Sequence, residues 1–393
     1  MKVSLVAQTP FQLFGALTFA CLADVEADLW LVDPVLLPLE ERCRELGLFA
    51  RVEHVATNLS VAGSGATGDI RSRATTAVRS KLIKSQISRY VRSSQPEAVV
   101  IFADNHEVLA GFAREAKQSS AARVIMGEEG VSSMFSYRGD RVSAIHGAAR
   151  RIAGVDNPYG YGVGWSPHVD AVIVSDSSFA HPDFTGSKEV YEYPPGPYPD
   201  EPLRVFSNVI GLDGLAAPEP KRDIFVLGQP WFEVGILAAE EERTFLRNLD
   251  NSCVAERILL KPHPFDSMEK YAQLRNIHVL DSAFRSVPAE VLLGAWRPKA
   301  TLSVFSSATL NYCARYDRPG ILMAGAWLSS GILEKMQVLS RRHTQLHIAD
   351  YLDDVGDHLA RVLDLANPPS DPADSSRWRS AIAEVLAGDL RTN

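Results

Sequence analysis

Ile224-Phe225-Val226-Leu227-Gly228-Gln229-Pro230 is a short run of apolar residues closed by a glycine and a proline. Such a run is too short for a helix and reads as a fully buried strand ending in a turn. Arg257 to Lys261 repeats the pattern and ends in Pro262-His263-Pro264. Between the two, helical periodicity runs roughly from Glu233 to Leu249. Beyond them the spacing predicts a strand at Ile277 to Leu280 and a helix at Val287 to Trp296. A strand at Thr301 to Phe305 then leads through Ser306-Ser307 into a helix at Ala308 to Tyr316. Ile321 to Ala324 closes the series. Strands alternating with helices imply parallel βαβ units.

Working back toward the N-terminus, the same rhythm appears a first time. Lys2 to Ala7, Leu29 to Val32, Val52 to Ala56, Ala98 to Phe102, Arg123 to Met126 and Ala171 to Val174 read as strands. Phe11 to Ala23, Leu36 to Leu48, Thr75 to Arg92 and Glu107 to Lys117 read as helices. Thr57 to Ile70 is rich in small residues and reads as a loop. The segment from Tyr191 to Gly214 opens with a proline cluster and breaks the rhythm, so it reads as a crossover. The expected organisation is α/β: a first Rossmann-like domain over 1–200, a linker over 191–220 and a second Rossmann-like domain over 220–393. In open α/β sheets, ligands sit beyond the carboxyl ends of the strands.

With 393 residues the chain has room for two cores. Its net charge of −8 and lack of a long basic run argue against a nucleic-acid partner. The basic face of the helix at Thr75 to Arg92 reads as a solvated face, which an acidic acceptor or a lipid surface could also use. No run of about 18 apolar residues occurs, so no spanning helix is expected. Cys21, Cys43, Cys253 and Cys313 are far apart, with none of the spacing of a zinc site. Cys21 and Cys313 read as buried free thiols in a reducing, cytoplasmic setting, with peripheral membrane association left open.

Three motifs lie at strand ends. Gly127-Glu128-Glu129-Gly130 places two carboxylates together, where repulsion and burial raise one pKa toward the range of a general base. Lys261-Pro262-His263-Pro264 fixes an imidazole between two prolines, beside a cation, as a phosphate donor would need. Ser306-Ser307 opens a helix, where hydroxyls and backbone N–H groups suit an anion, although serine also serves there as an N-cap.

In this order the three motifs resemble those of bacterial sialyltransferases, most closely glycosyltransferase family 52 (the lipooligosaccharide sialyltransferases) and the related capsular polysialyltransferases. Gln8-Thr9-Pro10-Phe11-Gln12 is similar to the Thr/Ser-Pro-x-Gln opening of those chains. The resemblance implies a GT-B fold, with two Rossmann-like domains facing a central cleft. It implies an inverting transfer of sialic acid from CMP-sialic acid to a glycan hydroxyl, with no metal and no cofactor. One of the two glutamates would be the general base, Glu129 in preference, with Glu128 orienting or forming part of the acceptor site. Gln8, Thr9, Pro10 and Gly130 would line the acceptor side. His263 would bind and protonate the CMP phosphate, and Ser306 and Ser307 would hold its oxygens, with Pro264 part of the same motif. Where many relatives carry an Arg after His-Pro this chain has Phe265, which leaves Lys261 as the compensating charge. Gly228 and Gln229 would touch the nucleotide. Asp353-Asp354 reads as an acidic helix start and not as a metal site.

Other readings of the same residues are a transferase using CMP-Kdo, another CMP-nonulosonic acid or CDP-glycerol. A nucleotide-sugar epimerase and a glycan-binding module without catalysis are further alternatives.

Overall fold

A computed structural model of the protein describes residues 1–55, 70–128, 155–159, 164–177, 187–212, 222–230, 238–304, 306–323, 345–349 and 374–388, with a few single positions between them. In the helix that begins at Ile70, side chains are described from Leu82 onward. Two compact units form: Met1–Pro194 with Arg204–Ile210 and Asp374–Asn393, and Pro195–Leu203 with Gly211–Ala373.

The first unit holds a seven-stranded sheet: β1 (Lys2–Ala7), β2 (Glu26–Leu31), β3 (Arg51–His54), β4 (Ala98–Ile101), β5 (Arg123–Gly127), β6 (Ala171–Val174) and β7 (Glu189–Glu192). Their spatial order is β3-β2-β1-β4-β5-β6-β7. Every pair is parallel, β1 and β2 being in register from Lys2 opposite Glu26 to Ala7 opposite Leu31. Helices α1 (Pro10–Leu22), α2 (Glu40–Glu45), α3 (Ile70–Ser94) and α4 (Glu107–Ser119) lie between the strands in the chain, and a 3-10 turn, Pro34–Leu39, precedes α2. The expected single helix over Leu36 to Leu48 is therefore split, with Pro38 inside the 3-10 portion, where proline's missing N–H interrupts helical bonding.

The inner strands β1, β4, β5 and β6 are buried along nearly all of their length because both faces are covered. On one face Val6, Trp30, Val99, Ile101, Val124, Met126, Val172 and Val174 pack with Ile83, Ile87 and Tyr90 of α3 and Phe112 of α4.

The second unit repeats the plan with six strands: β8 (Ile224–Leu227), β9 (Ile258–Lys261), β10 (His278–Val279), β11 (Ala300–Ser303), β12 (Gly320–Leu322) and β13 (Leu346–Ile348). Their order is β10-β9-β8-β11-β12-β13, again parallel throughout. Ile224, Val226, Ile258, Leu260, Leu302 and Ile321 pack against Phe245, Leu246 and Leu249. In sequence order this is 3-2-1-4-5-6 in the second sheet, the doubly wound Rossmann order, and the same order with a seventh strand added at the edge in the first. It puts a topological switch point between β1 and β4 in one unit and between β8 and β11 in the other.

Two differences from the sequence expectation concern where the units divide. The stretch read as a linker contains helix α5 (Asp200–Ile210), and the division falls inside it. Phe206 of α5 is buried and meets Phe14 of α1 edge to face, 5.6 Å between centroids. The chain's last described helix joins the first unit and not the second. Helix α6 (Ala239–Asp250), α7 (Ala289–Trp296) and α8 (Ser307–Tyr316) belong to the second unit, but α9 (Ser375–Ala387) belongs to the first. Trp378 of α9 is buried and stacks on Tyr193 at 5.4 Å, and Arg123 Nε donates to the Val385 carbonyl at 3.0 Å.

Candidate active site

In the second unit, three adjacent strands end in the sequence motifs. β9 ends in Pro262-His263, β8 in Gly228-Gln229, and β11 leads to Ser306-Ser307. With neighbouring strands about 4.8 Å apart, the three ends lie within roughly 10 Å of one another, at the switch point.

The His-Pro loop is a closed hydrogen-bonded turn. Asp266, 2% exposed, accepts the backbone N–H of His263 at 2.6 Å and the Tyr271 hydroxyl at 2.5 Å on Oδ2. Its Oδ1 accepts from Lys270 Nζ at 2.8 Å. Lys270 also donates to Glu242 of α6 at 2.6 Å and to the Gln229 carbonyl at 3.1 Å, so one ammonium ties the β8 and β9 loops together. Its two carboxylate partners hold the Lys270 pKa up against the opposing effect of burial. Arg285, after the 3-10 turn Ser282–Phe284, donates to the carbonyls of His263 at 3.4 Å, Pro264, and Asp266 at 2.7 Å. His263 Nδ1 accepts the Phe265 N–H at 3.2 Å, which puts the proton of the neutral ring on Nε2.

Lys261 stands where the sequence reading placed it but faces inward. It is 6% exposed, and its Nζ donates to the carbonyls of Pro262 at 3.3 Å and Arg285 at 3.1 Å. Burial pulls its pKa down to about 8, against the opposing pull of Glu290 and Asp266. Its ammonium thus supports the loop backbone. Phe265 is exposed.

Gly228 is packed directly against this turn. A Cβ there would meet Tyr271 Oη at 2.5 Å, Asp266 Oδ2 at 2.8 Å and the Lys261 carbonyl oxygen at 2.9 Å. Ser306 N-caps α8, accepting the Ala308 N–H at 3.2 Å, and Ser307 is the first residue of that helix. Capping and anion binding coexist here, because the hydroxyl retains its own proton for a ligand.

In the first unit, Gln8-Thr9-Pro10 lies at the carboxyl end of β1. Thr9 caps α1 by accepting the Gln12 N–H at 3.2 Å, and the buried Gln12 side chain accepts the Gln8 N–H at 2.8 Å. Pro10 occupies the first helical position, where its missing N–H is no loss. The Thr-Pro-x-Gln spacing is therefore accounted for by a reciprocal helix cap.

Glu128 is buried at the end of β5, and its carboxylate accepts the N–H of Ser175 at 2.5 Å and its hydroxyl at 3.1 Å. This ties the ends of β5 and β6 and suits an orienting residue. Gly127 leaves room for Phe102, whose Cε1 would lie 2.5 Å from a Cβ. Glu129, Gly130, Asp353 and Asp354 lie outside the described residues.

Sequence reading missed Asp266, Lys270, Tyr271 and Arg285. Asp266 had a local signal, an Asp three residues after His263 in a proline turn. Arg285 had none, because its contact is made across the fold. It also missed Asp104, fully buried after β4, which accepts from Asn157 Nδ2 at 2.9 Å and from the N–H groups of Gly164 at 2.9 Å and Ser166 at 2.6 Å. Burial raises the Asp104 pKa despite those donors.

Residues 170–324 match the model of the family described as Alpha-2,8-polysialyltransferase (POLYST). Over that stretch the chain is similar to the polysialyltransferases. The matched stretch contains Gly228-Gln229, Lys261 to Pro264 and Ser306-Ser307, and ends before the last strand. No curated protein matches this chain.

Among solved structures, it is similar to Arabidopsis thaliana UGT89C1 complexed with UDP, at 11% identity, 98% of this chain, 99% of that chain and a TM-score of 0.57. Phytolacca americana UGT2 complexed with UDP-2fluoro-glucose and pterostilbene follows at 11%, 98%, 94% and 0.53. CalG4, the calicheamicin glycosyltransferase, gives 13%, 98%, 94% and 0.50. At such identities the likeness is one of fold, and the fold is GT-B. Family match and fold together support a glycosyltransferase. No helix among the described residues is long and apolar enough to cross a membrane.

Proposed function

We propose that this chain transfers sialic acid from CMP-sialic acid to a hydroxyl of a cell-surface glycan, with inversion and without a metal. The carrying observation is His263, held at the switch-point edge of the second unit by Asp266 and by a Phe265 N–H that leaves the neutral ring's proton on Nε2.

The second unit takes the nucleotide. His263 donates to a phosphate oxygen of CMP. Ser306, Ser307 and the N–H groups opening α8 share the remaining phosphate charge. Glu129 takes the proton of the acceptor hydroxyl as that oxygen bonds to the anomeric carbon. The bond from that carbon to the phosphate oxygen breaks, its electron pair leaves with CMP, and the Nε2–H of His263 donates to the departing phosphate and offsets its charge. One displacement inverts the configuration through an oxocarbenium-like transition state, as in other glycosyl transfers. Fixed donors aimed at the phosphate supply the charge compensation that a metal would otherwise give.

The test is incubation with CMP-sialic acid and a panel of galactosides and sialosides, with and without EDTA, read by product mass. A sialylated product in both arms is expected. No product from CMP-sialic acid, with turnover of CMP-Kdo or CDP-glycerol, would reassign the donor. His263→Ala should weaken CMP binding by about ten-fold or more, the scale of a charge-assisted hydrogen bond, and lower turnover further. An unchanged CMP affinity would remove His263 from the donor site.

A further inference from the structure

We propose that Arg285 is the cation that receives the donor's phosphate at the His-Pro loop. The inference rests on the nucleotide reading of the second unit and adds a residue to it. Among the described residues, Asp266, Lys270, Lys261 and Arg285 converge on this loop, and the first three are held by protein partners. Asp266 is buried and accepts from His263, Lys270 and Tyr271. Lys270 is held by Asp266 and Glu242. Lys261 is buried with its ammonium on two backbone carbonyls.

Arg285 differs from these. It is partly exposed, and among the described residues no carboxylate pairs with it. Its Nε and Nη2 donate to the carbonyls of His263, Pro264 and Asp266, three residues of one turn. A guanidinium carries five N–H donors, and these bonds leave those on Nη1 without a protein acceptor among the described residues. Among the described residues the positive charge is thus unneutralised, and it is fixed to the same turn as His263. A planar guanidinium held at one edge, with donors left at the other, is suited to bind a phosphate oxygen. A lysine in its place would carry the charge but could not bridge three carbonyls.

The experiment is calorimetric titration of the full chain and its Arg285→Gln and Arg285→Lys variants with CMP, and saturation-transfer NMR with cytidine, which lacks the phosphate. Arg285→Gln should lose about ten-fold or more in CMP affinity, the scale of a charge-assisted hydrogen bond, with cytidine unchanged. Arg285→Lys should recover part of the loss. Equal losses for CMP and cytidine would reduce Arg285 to a clamp on the loop and overturn the proposal, as would an undiminished CMP affinity. The wild-type chain is first titrated with CMP, UMP, UDP and ADP. Binding of a nucleotide other than CMP would refute the CMP reading alone, and the Arg285 comparison is then made between that nucleotide and its nucleoside. Binding of none of them would overturn both.

Discussion

Glu128 and Glu129 are neighbours in the chain, and their chemistry separates at the level of single bonds. The Glu128 carboxylate accepts both donors of Ser175 while buried, so it is held as an acceptor between two strand ends. Glu128→Gln keeps one acceptor oxygen and loses the charge, which should cost about 1 kcal/mol of stability and leave most of the turnover. Glu129→Gln should leave stability alone and lower turnover by roughly 100-fold or more, the usual scale for a lost general base. Steady-state kinetics with denaturation of each variant decides it, and collapse of turnover in Glu128→Gln alone would exchange the roles. Lys261 gives a pH-dependent expectation. Its folded pKa is about 8 against an ordinary 10.5, so the unfolded chain binds the proton more tightly. The cost of charging the buried amine is fully present below pH 8 and disappears as pH rises to 10.5, a difference of about 3 kcal/mol. Wild type should therefore gain stability relative to Lys261→Met across that window, read as urea midpoints at successive pH values. A constant difference would mean that the amine titrates near its ordinary value.

At the scale of elements, Gly228 shows how closely the strand-end loops of β8 and β9 are packed. Its N–H donates to the Lys261 carbonyl at 2.8 Å, and that same carbonyl oxygen would stand 2.9 Å from any Cβ. A backbone oxygen in a sheet cannot step aside cheaply. Gly228→Ala should cost about 1–3 kcal/mol, the range for overpacking, and should also weaken nucleotide binding, because Asp266 and the His263 backbone would have to shift. Thermal unfolding and CMP titration of the variant check it, and an unperturbed protein would mean that the two loops move freely. Strands of this kind were legible in the sequence because burial on both faces makes them continuous apolar runs; Ala171–Val174 and Ile224–Leu227 fall where the run itself falls. β7 was not legible, since Glu-Val-Tyr-Glu at the sheet edge has little apolar burial to signal it. Helix α5 was hidden by the prolines before it. The motifs were legible because each lies within one short stretch. The residues that hold them, Lys270 and Arg285 above all, were not, because their partners are assembled by the fold and not by neighbouring positions in the chain.

At the scale of the whole molecule, the chain crosses between units more often than its linear order suggests. The apolar positions Trp378, Ile382, Val385 and Leu386 of α9 follow helical spacing and are buried, which announces a helix but not its destination. Its destination is the first unit, where Trp378 stacks on Tyr193, Arg379 Nη1 donates to the Cys21 carbonyl at 3.4 Å and Arg123 reaches Val385. Each unit buries a core of its own, so each should respond to its own perturbation. Trp378→Ala removes the largest fully buried side chain among the described residues, and truncations of that kind cost about 3–5 kcal/mol. That loss belongs to the first unit. CMP, on the reading argued here, binds the second, and a ligand at a hundred-fold excess over its Kd stabilises what it binds by about 3 kcal/mol. Calorimetry of wild type and Trp378→Ala, each with and without CMP, separates the two. The variant should lower one unfolding transition while leaving CMP affinity intact, and CMP should raise the other. If Trp378→Ala instead abolished CMP binding while the first transition stayed in place, α9 would belong functionally with the nucleotide site, and the assignment of the donor to the second unit alone would fail.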